Sequence, residues 1–151
     1  MRWIHIEEWR ETAAGESAEA VRTVPSDLDF MRDQYPSFPL MPHSLLIESM
    51  AQTGGILVGK LFGFRRDVIL AKIDRAVFTA LTRPGDRLRV TARIEERREE
   101  GARVACRITR AEEEVAQATI FFALLSAEDA WKLGARGFVF GAGTFSQFIG
   151  G

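Results

Sequence analysis

Gln34-Tyr35-Pro36-Ser37-Phe38-Pro39-Leu40-Met41-Pro42-His43 runs without a break into Ser44-Leu45-Leu46-Ile47-Glu48-Ser49-Met50-Ala51-Gln52-Thr53-Gly54-Gly55. The first half is punctuated by proline, which fixes φ and removes a backbone donor, so it reads as a stiff, irregular loop. The second half opens an apolar helix expected to start near His43-Ser44, with Ser44 as cap, and to end near Phe62 before Gly63. Its apolar residues (Leu45, Leu46, Ile47, Met50, Ile56, Leu57, Val58, Leu61 and Phe62) are spread around the whole circumference, the mark of a buried helix. Gly54, Gly55 and Gly59 would weaken an exposed helix, and are better explained by another backbone approaching closely. One carboxylate, Glu48, interrupts this apolar run. A carboxylate there is costly unless solvated, hydrogen-bonded or tuned to hold a proton, and the spacing leaves all three open.

Working outward, Trp3 to Trp9 reads as a first strand and Ser17 to Val24 as a second, joined by a turn at Ala14-Gly15-Glu16. Residues 26–42 are expected to be loop throughout. Beyond the helix come four strand-like segments, Val68 to Ala80, Arg87 to Glu99, Ala102 to Arg110 and Glu114 to Leu125. Leu88, Val90, Ala92 and Ile94 alternate with Arg87, Arg89, Thr91 and Arg93, which calls for one buried and one wet face. Two strands, one buried helix and four strands predict an α+β chain in which an antiparallel sheet wraps the helix. A domain over 1–125 is followed by an extension over 126–151: a short helix at Ala127 to Lys132, then a glycine- and phenylalanine-rich stretch. That stretch reads either as a flexible tail or as a plug for a groove or a second subunit.

The 151 residues fit one domain, and 46% apolar with 27% charged residues is ordinary for a globular chain. A net charge of −1 gives no broad cationic field for nucleic acid. The lone Cys106 excludes an intrachain disulfide and reads as a small core residue. Two histidines, His5 and His43, make a zinc site improbable, and His5 reads as structural. No apolar run reaches the ~18–20 residues of a membrane span and no signal peptide opens the chain, so the expected compartment is the cytoplasm. Arg65, Arg66 and Lys72 read as a solvated face, with contact to a phosphate or an acidic carrier surface as the alternative. Arg97-Arg98 and Glu99-Glu100 read as a solvated hairpin end.

From Gln34 to Gln52 the chain resembles the FabA/FabZ family of 3-hydroxyacyl-acyl-carrier-protein dehydratases. That family's loop reads H-F-P-G-x-P-x-M-P-G and its helix E-A-x-A-Q. Pro36, Pro39, Met41, Pro42, Glu48, Ala51 and Gln52 fall in register with no gap. The resemblance implies a hotdog fold, a homodimer whose sites lie between protomers, an acyl-carrier-protein or coenzyme A thioester as substrate, a place in fatty acid or lipid biosynthesis, and no cofactor or metal. It implies Glu48 as the acid that protonates the departing C3 hydroxyl. It also implies the His43 backbone N–H as oxyanion donor, and Tyr35, Phe38, Met41, Pro42, Ser44 and Gln52 as the substrate-lining set. Gln34 stands where the family has the histidine that removes the C2 proton, and an amide is no base near neutral pH. Two other functions therefore stand beside dehydration: a non-catalytic acyl-thioester or carrier-binding subunit, and a hotdog thioesterase. His43 lies five residues before Glu48, about 140° around the helix, so the two side chains are not expected to meet within one protomer.

Overall fold

The computed structural model describes residues 4–132 and 146–149. Among them are six strands: β1 (Glu8–Ala13), β2 (Ser17–Thr23), β3 (Asp67–Phe78), β4 (Arg87–Arg98), β5 (Gly101–Arg110) and β6 (Glu113–Leu125). Four helices accompany them: α1 (Asp29–Gln34), α2 (His43–Leu61), α3 (Ala127–Lys132) and α4 (Ser146–Ile149). The strands form one antiparallel sheet in the order β1-β2-β4-β5-β6-β3. Register shifts at Ile94/Glu96 in β4, and at Leu70/Lys72 and Ile73/Arg75 in β3, add residues to one strand only. Such bulges bend a strand and increase its twist, which curves the sheet toward α2.

The core lies between that sheet and α2. Leu88, Val90 and Ala92 are buried and Arg87, Arg89 and Arg93 exposed, as the alternation requires. Leu46, Met50, Ile56, Leu57 and Val58 of α2 have no exposed surface. Each contributes about 1.5–3 kcal/mol through burial. Gly54 and Gly59 are sites of close approach, but to aromatic rings rather than backbone. A Cβ on Gly54 would fall 3.0 Å from Phe122 Cε2, and one on Gly59 2.3 Å from Phe64 Cε1. Cys106 is a buried core residue, its thiol 3.7 Å from the Met50 carbonyl.

Three boundaries differ from the sequence reading. β1 begins at Glu8 rather than Trp3, because the backbone of His5 is taken by side chains of α2 instead of a neighbouring strand. α1 occupies part of the expected loop: no proline falls between Pro25 and Pro36, Met31 is buried, and Asp29 and Arg32 sit at the ends that suit their charges. Pro42, not Ser44, is the cap residue of α2, and the helix has no side-chain cap bond. α3 forms where expected. Trp3 and the glycine-rich stretch over 133–145 lie outside the described residues. Phe148 of α4 is half-buried against the core.

Candidate active site

The centre of the candidate site is the polar stripe on the first half of α2. Glu48, Ser49 and Gln52 fall within one turn of each other, which the helical repeat places on adjacent positions. Glu48 is half-buried, whereas Ser49 and Gln52 are buried. Gln52 Nε2 donates to Glu48 Oε1 at 3.0 Å, and Gln52 Oε1 accepts the His5 backbone N–H at 2.7 Å. Because an amide oxygen only accepts and an amide nitrogen only donates, the His5 bond settles which end of Gln52 faces the carboxylate. Ser49 Oγ lies 3.0 Å from both the His5 and the Leu45 carbonyl oxygens. Glu48 is thus hydrogen-bonded at the edge of the core, with part of its surface still open to solvent.

The preceding loop is fixed at two points. The Met41 N–H donates to the Thr82 carbonyl at 2.9 Å, and the Arg83 guanidinium lies 4.2 Å over the Phe38 ring. Met41 is buried and Pro42 half-buried. Tyr35 and Phe38 remain 51% and 41% exposed, much apolar surface for one loop to leave in water. Gln34 is the last residue of α1 and exposed, so it stands on a short helix rather than on loop. His43 opens α2 and is exposed, with its ring stacked 4.1 Å from that of Phe78. Ser44 is exposed in the first turn. Within the chain neither Gln34 nor His43 hydrogen-bonds to Glu48. The first-turn amides of α2, with no side-chain cap, are oriented donors at the positive end of a helix dipole.

Two residues gained a role that sequence reasoning did not assign. His5, read as part of a strand, docks the N-terminal segment on α2 through its backbone. Its imidazole is buried with Nδ1 unpartnered, and its pKa is lowered, first by burial and then by the nearby Arg22. Trp9 adds a second tether, its Nε1–H donating to the Thr53 carbonyl at 3.2 Å. Contacts more than forty residues apart in the chain leave no local pattern to find. The Cys106 thiol, pushed up to about 12 mainly by burial, is unsuited to nucleophilic work. No group of three or more potential metal ligands occurs among the described residues. No helix among them is long and apolar enough to cross a membrane.

Comparison with known proteins agrees with this geometry. The model of the FabA-like domain family matches residues 2–123. The 3-hydroxyacyl-[acyl-carrier-protein] dehydratase FabZ of Levilactobacillus brevis is 31% identical over 120 residues, covering 79% of this chain and 81% of that protein. The FabZ of Wolbachia pipientis is 36% identical over 111 residues, 73% of this chain and 78% of its own length. Among solved structures, an uncharacterized protein from Pyrococcus horikoshii superposes with a TM-score of 0.66 at 20% identity, covering 82% of this chain and 85% of that one. The dehydratase heterocomplex ApeI:P from Xenorhabdus doucetiae gives 0.59 at 18%, covering 75% and 92%. At such identities the structural likenesses speak to the fold alone. With a matching family model over most of its length and a curved antiparallel sheet packed on one long helix, the chain belongs to the FabA-like domain family and has the hotdog fold.

Proposed function

We propose that this protein acts on acyl thioesters in the manner of the 3-hydroxyacyl-carrier dehydratases, with Glu48 as the group that works on the substrate. The observation that carries this reading is the half-buried Glu48 carboxylate on an otherwise apolar helix, held in one orientation by Gln52. In dehydration the C2–H bond breaks as its proton passes to the Glu48 carboxylate, leaving an enolate-like thioester. The C3–O bond then breaks as the hydroxyl takes a proton and departs as water. Glu48 is the donor to that hydroxyl, and the His43 N–H, at the uncapped start of α2, takes the thioester oxygen as charge gathers there. Tyr35, Phe38, Met41, Pro42, Ser44 and Gln52 surround the acyl and pantetheine portions.

A second subunit completes this site. β3 is an edge strand among the described residues, and its outward Ile73 is 38% exposed. Unpaired strand edges are templates for pairing with another chain. With Tyr35 and Phe38 exposed on the loop, a second copy has both hydrogen-bonding and apolar surface to cover, which supports a homodimer. A substrate borne on water-soluble thioester carriers supports a cytoplasmic location.

A second reading has its own support. Gln34 has no basic nitrogen, and no histidine of this chain hydrogen-bonds to Glu48. A subunit that binds acyl thioesters without turning them over fits that arrangement. One assay separates these readings: the purified protein is incubated with a 3-hydroxyacyl thioester while enoyl product, free thiol and bound ligand are followed. Enoyl product that disappears in Glu48→Gln supports dehydration. Free thiol points to hydrolysis instead, and binding without either product points to the binding subunit. Enoyl formation at full rate in Glu48→Gln removes the role assigned to that residue.

A further inference from the structure

Ile4 to Trp9 passes beside α2 and is tied down on two sides. Toward β2, the Glu7 N–H donates to the Val21 carbonyl at 2.8 Å, and the Glu7 carboxylate takes the Thr23 N–H and Oγ1–H at 2.8 and 3.1 Å. Toward α2, Ser49 Oγ reaches the His5 carbonyl at 3.0 Å and Trp9 Nε1–H the Thr53 carbonyl at 3.2 Å. His5 and Ile6 are 6% and 3% exposed. From this clamped stretch the His5 N–H donates to Gln52 Oε1 at 2.7 Å.

Stability alone does not call for that bond. Gln52 is 2% exposed, and a buried amide needs partners merely to recover what it loses on leaving water. An apolar side chain of the same size would fill the place without that demand. What an amide adds is direction, because one end accepts and the other donates. With Oε1 committed to the His5 N–H, Nε2 faces Glu48 and donates to its Oε1 at 3.0 Å. The reversed amide would set its oxygen against the carboxylate and its NH2 against the His5 N–H, two repulsive contacts at once. A backbone N–H held in a clamped segment does not titrate near neutral pH, so this direction persists as conditions change.

We propose that the His5 backbone N–H is a positioning group for Glu48, acting through Gln52, and that it selects which carboxylate oxygen carries the proton. Glu48 Oε1 already accepts an N–H and is the poorer seat for a proton. Glu48 Oε2 accepts no hydrogen bond among the described residues. In dehydration the C2 proton passes to Oε2 as the C2–H electron pair moves into the thioester enolate. The same oxygen returns the proton to the C3 hydroxyl, which leaves as water, and Glu48 is again a carboxylate supported by Gln52. An uncommitted Gln52 would be free to turn its oxygen to Glu48 and hold that proton away from the substrate. The proposal rests on the reading of Glu48 as the group that works on the substrate, and adds the element that fixes its orientation.

The test exchanges single backbone N–H groups for ester oxygens, by building the full chain with an α-hydroxy acid at one position and every side chain kept. At position 5 the exchange removes the donor to Gln52. At position 7 it removes the Glu7 bond to Val21, loosening the same segment without touching Gln52. The ester at 5 should lower kcat for enoyl formation by about tenfold or more with KM within about twofold. It should also move the acid limb of the kcat/KM profile to higher pH, because the ionised carboxylate has lost a supporting donor. The ester at 7 should do neither. In a Gln52→Leu background the exchange at 5 should have no further effect on kcat. The Gln52 side-chain N–H signals in an NMR spectrum give a readout that needs no turnover. They should move toward those of a free amide with the ester at 5 and stay in place with the ester at 7. Wild-type kcat and pH profile with the ester at 5 would overturn the proposal. Equal losses with the two esters would also overturn it, since the segment then only anchors. Moved Gln52 signals in a protein that forms no enoyl product refute the proposed function and leave the positioning standing. Unmoved signals refute the positioning whatever the activity.

Discussion

The two halves of α2 meet the rest of the molecule by opposite means. From His43 to Gln52 side-chain hydrogen bonds add to the burial of Leu46 and Met50: Gln52 and Ser49 take the two backbone groups of His5, and His43 stacks on Phe78. From Gly54 to Phe64 it is held by shape, with glycines making room for the Phe122 and Phe64 rings. The difference teaches where each half can tolerate change. A hydrogen-bonded carboxylate on a half-buried rim can change its partners during a reaction, because little packing depends on it. A ring seated against a missing Cβ has no such latitude, since close-packed interiors yield only by moving neighbours. Chemistry is therefore expected at the first half and rigid presentation of side chains at the second.

The sharpest way to break this comparison is Glu48→Gln. If the first half is the reactive one, enoyl formation from a 3-hydroxyacyl thioester should fall by about 10²–10⁴-fold while the melting temperature stays close to wild type. A large loss of stability with activity retained would reverse the assignment. The next effect is expected from Gly59→Val, which forces the Phe64 ring out of its seat. It should cost about 2–4 kcal/mol in urea denaturation. Unchanged stability would show that the second half is not packed as described.

A smaller effect belongs to Gln52→Leu, which leaves the His5 N–H and a Glu48 oxygen without this partner. The expected cost is about 1–3 kcal/mol, and the N-terminal segment should lose amide protection in hydrogen exchange. The smallest effect is a pH dependence from His5. Its pKa is lowered in the folded protein by burial and by Arg22, so the unfolded chain binds its proton more readily. This contribution to stability is complete above the ordinary value of 6.5 and declines as pH falls below it toward the folded value. Melting temperatures between pH 8 and 5 should drop more in the wild type than in His5→Phe. Equal profiles would assign the slope to other groups.

Much of this was legible in the sequence, for reasons that differ by element. The β4 alternation and the apolar run of α2 are local periodicities, and they placed both elements to within a residue or two. Glu48 and Gln52 were visible as a helical pair because one turn of helix brings them together whatever the tertiary structure. α1 was missed because Met31 is a single burial event on a six-residue helix, too short to leave a period. The start of β1 was misplaced because Trp3 to Ile6 has strand composition. The hydrogen bonds of His5, however, go to side chains 44 and 47 residues away.

What the chain by itself determined is the make-up of its candidate site: a proline-stiffened loop, an apolar helix and a single carboxylate in fixed spacing. Periodicity and spacing carry that much because they act over a few residues. Tertiary structure alone decided how Gln52 is turned toward Glu48 and which aromatic rings press on Gly54 and Gly59. Each of these depends on groups distant in the chain meeting at contact range, and no local pattern encodes a distance.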